Sequence, residues 1–156
     1  MKDLIIRRAT SNDMDDLLRF EQGVITAERA FDPTLKIENV RYYDLHYMIA
    51  SAHIELLVAE TNTRLIGSGY ARIEYAKPYL QHQQYAYLGF MYVEPDFRGM
   101  GVNKAIIDAL QSWSAEQGIT EIRLEVYYGN SPAIRAYEKA GFSRHMIEMR
   151  KGLGKE

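Results

Sequence analysis

Between Val93 and Val102 the chain reads Val-Glu-Pro-Asp-Phe-Arg-Gly-Met-Gly-Val, with two glycines set between a strand-forming aromatic run and the start of a helical pattern. A turn of that kind delivers the N-terminus of a helix, where the first N–H groups lack intrahelical acceptors and carry partial positive charge. Glycine lets the backbone approach an anion closely, Arg98 adds a full charge, and a pyrophosphate is the natural guest. No Lys-Ser or Lys-Thr pair follows Gly101, so the turn is not a P-loop, and it lacks the third glycine of a dinucleotide fingerprint; ATP and NAD are disfavoured. A strand–glycine turn–helix also occurs where nothing is bound, and the loop alone leaves both readings open. One strand later comes Asn130-Ser131-Pro132-Ala133-Ile134-Arg135-Ala136-Tyr137-Glu138-Lys139-Ala140-Gly141-Phe142. Asn130 or Ser131 can cap this helix, Pro132 suits its first position and Gly141 closes it. On residue type alone Tyr137 reads as amphipathic packing. His46, His53, His82 and His145 stand singly without metal-ligand spacing, and no metal is expected.

In order and spacing these two segments resemble the GNAT N-acetyltransferases. Arg98-Gly99-Met100-Gly101 is similar to the family's Arg/Gln-x-x-Gly-x-Gly/Ala loop, and Asn130 to Phe142 resembles its second conserved segment. The likeness is close from about Tyr87 to Phe142 and looser before it. It implies a single domain over residues 1–156 of α/β (mixed α+β) class, with a central, mostly antiparallel sheet of six to seven strands. About four helices would flank that sheet, which would splay at the fourth and fifth strands. It also implies acetyl-CoA as co-substrate, its pyrophosphate held by the amides of Arg98, Gly99, Met100, Gly101, Val102, Asn103 and Lys104. Main-chain groups of Met91, Tyr92 and Val93 would pair with the pantetheine arm as a peptide extends a strand edge. Asn130 and Ala133 would bind the cofactor, and Tyr137 would lie toward the thioester sulfur. One position departs from the pattern: where the family has Gly or Ala, Asn103 stands, and its side chain either crowds the phosphate or donates an extra hydrogen bond.

Direct attack of a primary amine on the thioester is the implied reaction, without a covalent enzyme intermediate and with a backbone N–H near Met91 supporting the oxyanion. The absence of cysteine and of a serine in a nucleophile-elbow motif agrees with that. A thiol has a pKa near ~8.5 and a tyrosine near ~10, so a tyrosine such as Tyr137 keeps its proton at neutral pH and can donate it to the departing thiolate. The acceptor amine arrives protonated and needs a base. Glu125 is the candidate that the resemblance implies, through a glutamate at the matching place in some ribosomal-protein N-terminal acetyltransferases of the family. A structural or exposed Glu125 fits the residue equally, and Glu94, Tyr92, Tyr127 and Tyr128 read as surface or packing residues. The alternative to an enzyme is a non-catalytic acyl-CoA-binding module acting as sensor or assembly partner.

The elements that must position these residues follow from periodicity. Leu4 to Ala9 reads as a strand, and a helix follows with Thr10 or Ser11 as cap and Asp13, Asp15 and Asp16 against its dipole. A second helix is expected from Ile37 to about Ser51. Ile54 to Glu60 and Leu65 to Tyr75 form a hairpin about Thr61-Asn62-Thr63-Arg64, and Gln84 to Val93 is a strand that Pro95 ends. Val102, Ala105, Ile106, Ala109, Leu110 and Trp113 mark a helix stopped by Gly118. Ile119 to Tyr127 alternates as a strand covered on both faces, and Phe142 to Arg150 reads as a final strand.

Over 156 residues, 47% hydrophobic and 26% charged side chains are enough to build one folded core. A net charge of −2 and a pI near 6.1 argue against nucleic acid. No run approaches a membrane span, no export signal opens the chain, and the lack of cysteine fits a reducing compartment, so the cytoplasm is the default. Asp13, Asp15, Asp16, Glu21, Glu28, Asp32, Glu38 and Asp44 outnumber the bases nearby, which points to a cationic small-molecule or peptide amine; a solvated acidic face explains them equally. Tyr42, Tyr43, Tyr47, Tyr75, Tyr79, Tyr85 and Tyr87 line an acceptor pocket, form a homodimer contact, or simply pack.

Overall fold

The structure, a computed structural model, describes residues 1–154. The chain divides into two compact units, Met1–Glu125 and Val126–Glu156. In chain order the first holds β1 (Ile5–Arg8), α1 (Met14–Glu28), α2 (Leu45–Ala50), β2 (Ile54–Thr61), β3 (Arg64–Tyr75), β4 (Gln84–Val93), α3 (Val102–Glu116) and β5 (Ile122–Leu124). The second holds α4 (Ser131–Lys139).

The sheet runs β1-β2-β3-β4-β5, antiparallel throughout except for the parallel β4–β5 pair. β2 and β3 meet through a two-residue turn in which Asn62 (φ 49°) and Thr63 (φ 63°) are both left-handed, the geometry that matches strand twist. On one face Leu17, Phe20, Leu45 and Met48 of α1 and α2 pack with Ile54, Leu56, Val58, Tyr70 and Phe90. α3 buries Val102, Ile106, Ile107 and Leu110. It lies so close to β3 that a Cβ on Gly69 would stand 2.7 Å from Ile106 Cγ2.

Three expectations are corrected. The helix expected from Ile37 begins only at Leu45. Upstream, Arg29 donates to the carbonyls of Lys36 and Ile37, Glu21 takes the amides of Tyr42 and Tyr43, and Asn39 is left-handed at φ 59°. Those groups cannot also serve a helical ladder, and Asp44 caps the shorter helix through the Tyr47 amide. β5 is three residues long rather than Ile119 to Tyr127, because Ile119 is spent in closing α3: its amide bonds Ser114 O while that of Gly118 (φ 79°) bonds Ala115 O. The described residues form five strands, not six to seven, since Phe142 to Arg150 carries no strand. Alternation marks a segment fit for a sheet but does not supply a partner edge, and Met146, Ile147 and Met149 are exposed.

In the second unit, Asn130 caps α4 by accepting from the Ala133 amide at 3.4 Å. The helix ends in paired bonds from Gly141 N to Glu138 O and from Phe142 N to Tyr137 O, both 3.0 Å, with Gly141 at φ 100°. That double closure brings the residue after the glycine onto the last turn, and the rings of Phe142 and Tyr137 meet edge-to-face at 5.9 Å. Ile134 is the buried residue of the helix, while Ala136 and Ala140 are exposed.

Candidate active site

β4 leads into the glycine turn through a single 3₁₀ turn at Pro95–Phe97. Gly99 (φ 76°) and Gly101 (φ 84°) are left-handed, a conformation that suits glycine, and Gly101 is the N-cap of α3. The first α3 bond runs from Ala105 N to Gly101 O at 3.0 Å, so helix geometry leaves the amides of Val102, Asn103 and Lys104 without intrahelical acceptors. Arg98, Gly99, Met100 and Gly101 are exposed around those donors. Asn103 is half-buried at the second helical position, and Lys104 Nζ is held by Asp108 at 2.6 Å. Arg98 folds back, donating from Nε to Val93 O at 3.0 Å. The turn thus presents an unpaired row of main-chain donors beside a guanidinium, which fits a diphosphate.

Immediately upstream the sheet opens. β4 pairs with β5 only at Ala86, Tyr87 and Leu88; from Gly89 to Val93 it keeps β3 on one side and, among the described residues, has no ladder partner on the other. Within that stretch Phe90 is left-handed at φ 55°, and the β3 register slips between Ser68 and Tyr70, so β4 carries a bulge. Ser68 Oγ secures it by donating to Phe90 O at 3.0 Å. A bulge leaves its extra residue out of the ladder and bends the strand, and here it falls within the stretch of β4 beyond its pairing with β5. Met91 turns its sulfur toward Gly69, where a Cβ would stand 2.8 Å from it. Tyr92 directs its ring onto α1, stacking on Phe20 at 4.8 Å, and its hydroxyl donates to Glu94 at 3.2 Å. Glu94, buried, also pairs with Arg19, so its role is to tie β4 to α1.

Beside the bulge lies a tyrosine cluster. Tyr43 stacks on Phe90 at 4.4 Å and meets Tyr70 edge-on at 6.0 Å, and Tyr70 lies 6.3 Å from Tyr87. Arg72 spreads over Tyr70 and Tyr87 at 5.5 and 5.4 Å and is held by Glu74. The Tyr70 ring covers Gly89 so closely that a Cβ there would stand 2.6 Å from it. Burial pushes the phenols of Tyr43, Tyr70 and Tyr87 above the ordinary tyrosine range; Glu28 adds to it on Tyr43 and Glu125 on Tyr87, whereas at Tyr70 the Arg72 guanidinium opposes the rise and Glu74 and Glu125 add to it. All three are therefore neutral donors at working pH.

Glu125, expected on a strand covered on both faces, is exposed one residue beyond β5, yet its charge reaches Tyr70 and Tyr87. In the first unit the structure thus brings together the glycine turn, the open β4 edge, the bulge, the tyrosine cluster and Glu125. Asn130, Ala133 and Tyr137 lie in the second, where the cap at Asn130 and the closure at Phe142 set the two ends of one short helix. Of the tyrosines singled out by composition, Tyr43 and Tyr87 join the cluster, whereas Tyr75 and Tyr79 are exposed at the β3–β4 connection. Sequence reading missed Phe90, Ser68 and Tyr70, because a bulge depends on a register slip against a distant strand; Gly89 next to Phe90 inside a strand pattern was the available hint.

Comparison with known proteins agrees with this geometry. Residues 21–142 match the acetyltransferase (GNAT) family. An uncharacterized N-acetyltransferase of Methanocaldococcus jannaschii is 26% identical over 149 residues, spanning 94% of this chain and 64% of that protein. Among solved structures, a tetramutant of the Bacillus halodurans protein BH1408 superposes with a TM-score of 0.86 at 21% identity, covering 96% of this chain and 99% of that one. A predicted acetyltransferase from Clostridium acetobutylicum, solved with acetyl-CoA, superposes with a TM-score of 0.75 at 22% identity and 96% coverage of both chains.

Proposed function

We propose that this chain, which belongs to the acetyltransferase (GNAT) family, transfers an acetyl group from acetyl-CoA to a primary amine by direct attack within a ternary complex. The observation that carries the reading is the release of β4 from β5 at Gly89, directly upstream of a turn whose two left-handed glycines open α3. An edge with free main-chain groups receives the amides of a pantetheine arm, and the unpaired donors of Val102, Asn103 and Lys104 receive a diphosphate. The acetyl-CoA bound to the Clostridium relative supports the same co-substrate.

In this mechanism the amine nitrogen attacks the thioester carbonyl, a backbone N–H near Met91 supports the oxyanion, the C–S bond breaks as Tyr137 gives its proton to the sulfur, and the proton that the new amide nitrogen sheds returns to the Tyr137 oxygen through solvent. Glu125 takes the ammonium proton, directly or through water, before attack. Asn130 and Ala133, at the start of α4, bind the same co-substrate. Neutral phenols at Tyr43, Tyr70 and Tyr87 offer donors and ring faces to the acceptor, a small-molecule or peptide amine.

Release of free thiol from acetyl-CoA against a panel of small amines, aminoglycosides and peptide N-termini tests this directly. Wild-type protein should show amine-dependent release, and Tyr137→Phe should lower kcat by about 10² or more while coenzyme A affinity is retained. Absence of calorimetric heat at millimolar coenzyme A would overturn the reading. Binding without turnover across the whole panel would leave a binding module in place of an enzyme.

A further inference from the structure

Glu21 lies in the middle of α1 with no exposed surface, and the chemistry above does not use it. A carboxylate is costly to bury unless its oxygens are satisfied, and here they are satisfied entirely by the irregular segment between α1 and α2. Arg41 Nε donates to one oxygen at 2.7 Å; the amides of Tyr42 and Tyr43 donate to the other at 2.9 and 2.8 Å. Two further side chains, one from α1 and one from its C-cap, hold the same segment: Gln22 through Val40 O at 3.3 Å and Arg29 through the carbonyls of Lys36 and Ile37. The segment therefore owes its course to side chains of α1 and its C-cap rather than to a ladder of its own. What it delivers is Tyr43, whose ring lies on Phe90, the left-handed residue of the β4 bulge.

We propose that Glu21 is a positioning residue for the acceptor amine: by clamping the Tyr42 and Tyr43 amides it holds the Tyr43 ring against the bulge, and so sets the wall against which the acceptor is presented to the thioester. This rests on the reading of the chain as an amine acetyltransferase. A buried anion suits the task because its acceptors are directional, and because both residues it holds lie outside any strand or helix. The glycine turn takes nothing from the clamp, and the β4 edge meets it only through the Phe90 ring on which Tyr43 lies.

The test compares wild type with Glu21→Gln, which removes the charge and one of the two oxygens, and Tyr43→Leu, which keeps the Glu21 bonds to main chain but removes the ring. Coenzyme A affinity is measured by calorimetry, steady-state constants are measured with the best amine of the panel, and amide hydrogen exchange is followed at Tyr42 and Tyr43. In Glu21→Gln the amine KM should rise by about tenfold or more, coenzyme A affinity should stay within about twofold, and the two amides should exchange faster relative to those of β3. Tyr43→Leu should reproduce the rise in KM, and decides the matter if Glu21→Gln does not fold. An unchanged amine KM in the folded variants, or a rise matched by equal loss of coenzyme A affinity, overturns the proposal. Failure of the wild-type protein to bind coenzyme A, or to acetylate any amine, instead removes the transferase reading on which it stands.

Discussion

At the scale of single residues, the tyrosine cluster shows how burial sets chemistry. The phenols of Tyr43 and Tyr87 are held in the protonated form first by desolvation and then by surrounding charge, that of Tyr70 and the carboxylates. Their folded-state pKa values lie above the unfolded value near ~10, so the stability they contribute is present below pH ~10 and is lost as pH rises beyond it. Alkaline titration followed together by tyrosinate absorbance and circular dichroism should find that these phenols ionise only as the fold is lost. Tyr43→Phe or Tyr87→Phe should reduce the alkaline loss of stability. If either variant removes a phenolate step near pH ~10 that occurs in the intact fold, the assignment fails. On the acid side the Arg7 guanidinium, bonded to Asp13 at 2.8 and 2.9 Å, holds that carboxyl below the usual aspartate range and ties β1 to the turn that starts α1.

At the scale of elements, neighbours overrule intrinsic preference. Gly23 sits inside α1, where replacing glycine by alanine ordinarily gains about 1 kcal/mol. Here the new Cβ would stand 2.5 Å from Tyr92 Cε2, a ring held between Phe20 and its bond to Glu94. Gly23→Ala should therefore destabilise the protein by about 1–2 kcal/mol in urea titration, the cost of overpacking outweighing the propensity gain. A more stable variant would show that Tyr92 has room to move. The same principle explains α4: Gly141 allows the chain to double back, and Phe142 then packs on Tyr137, so the general acid of the proposed reaction is oriented by the motif that ends its own helix.

At the scale of the whole molecule, ligand binding should be visible as stability. If coenzyme A occupies only the folded state, a concentration of ~100 times its Kd adds about 2.7 kcal/mol, or about 5–10 °C in Tm for a chain of this size. Thermal melts with coenzyme A against ATP and NAD at equal concentration measure both the gain and its selectivity. Equal shifts with all three nucleotides would mean nonspecific anion binding at the α3 N-terminus.

The glycine turn, the caps of α3 and α4, the β2–β3 hairpin and the end of β4 before Pro95 were legible in the amino-acid sequence, because each is dictated by the conformational limits of the residues at that point: Gly101 at positive φ, Asn130 accepting from the amide three residues on, Pro95 without a donor. α3 was equally plain, since its apolar spacing matches one buried face. What sequence could not show was whatever required a partner from far along the chain. The helix expected from Ile37 was cut short by Glu21 and Arg29, the β4 bulge arose from a register slip against β3, and Tyr43 reached Phe90 across 47 positions of sequence. Local conformation is a property of neighbouring residues; a clamp, a bulge or a wall is a property of surfaces that meet only after the chain has folded, and tertiary structure alone decided those.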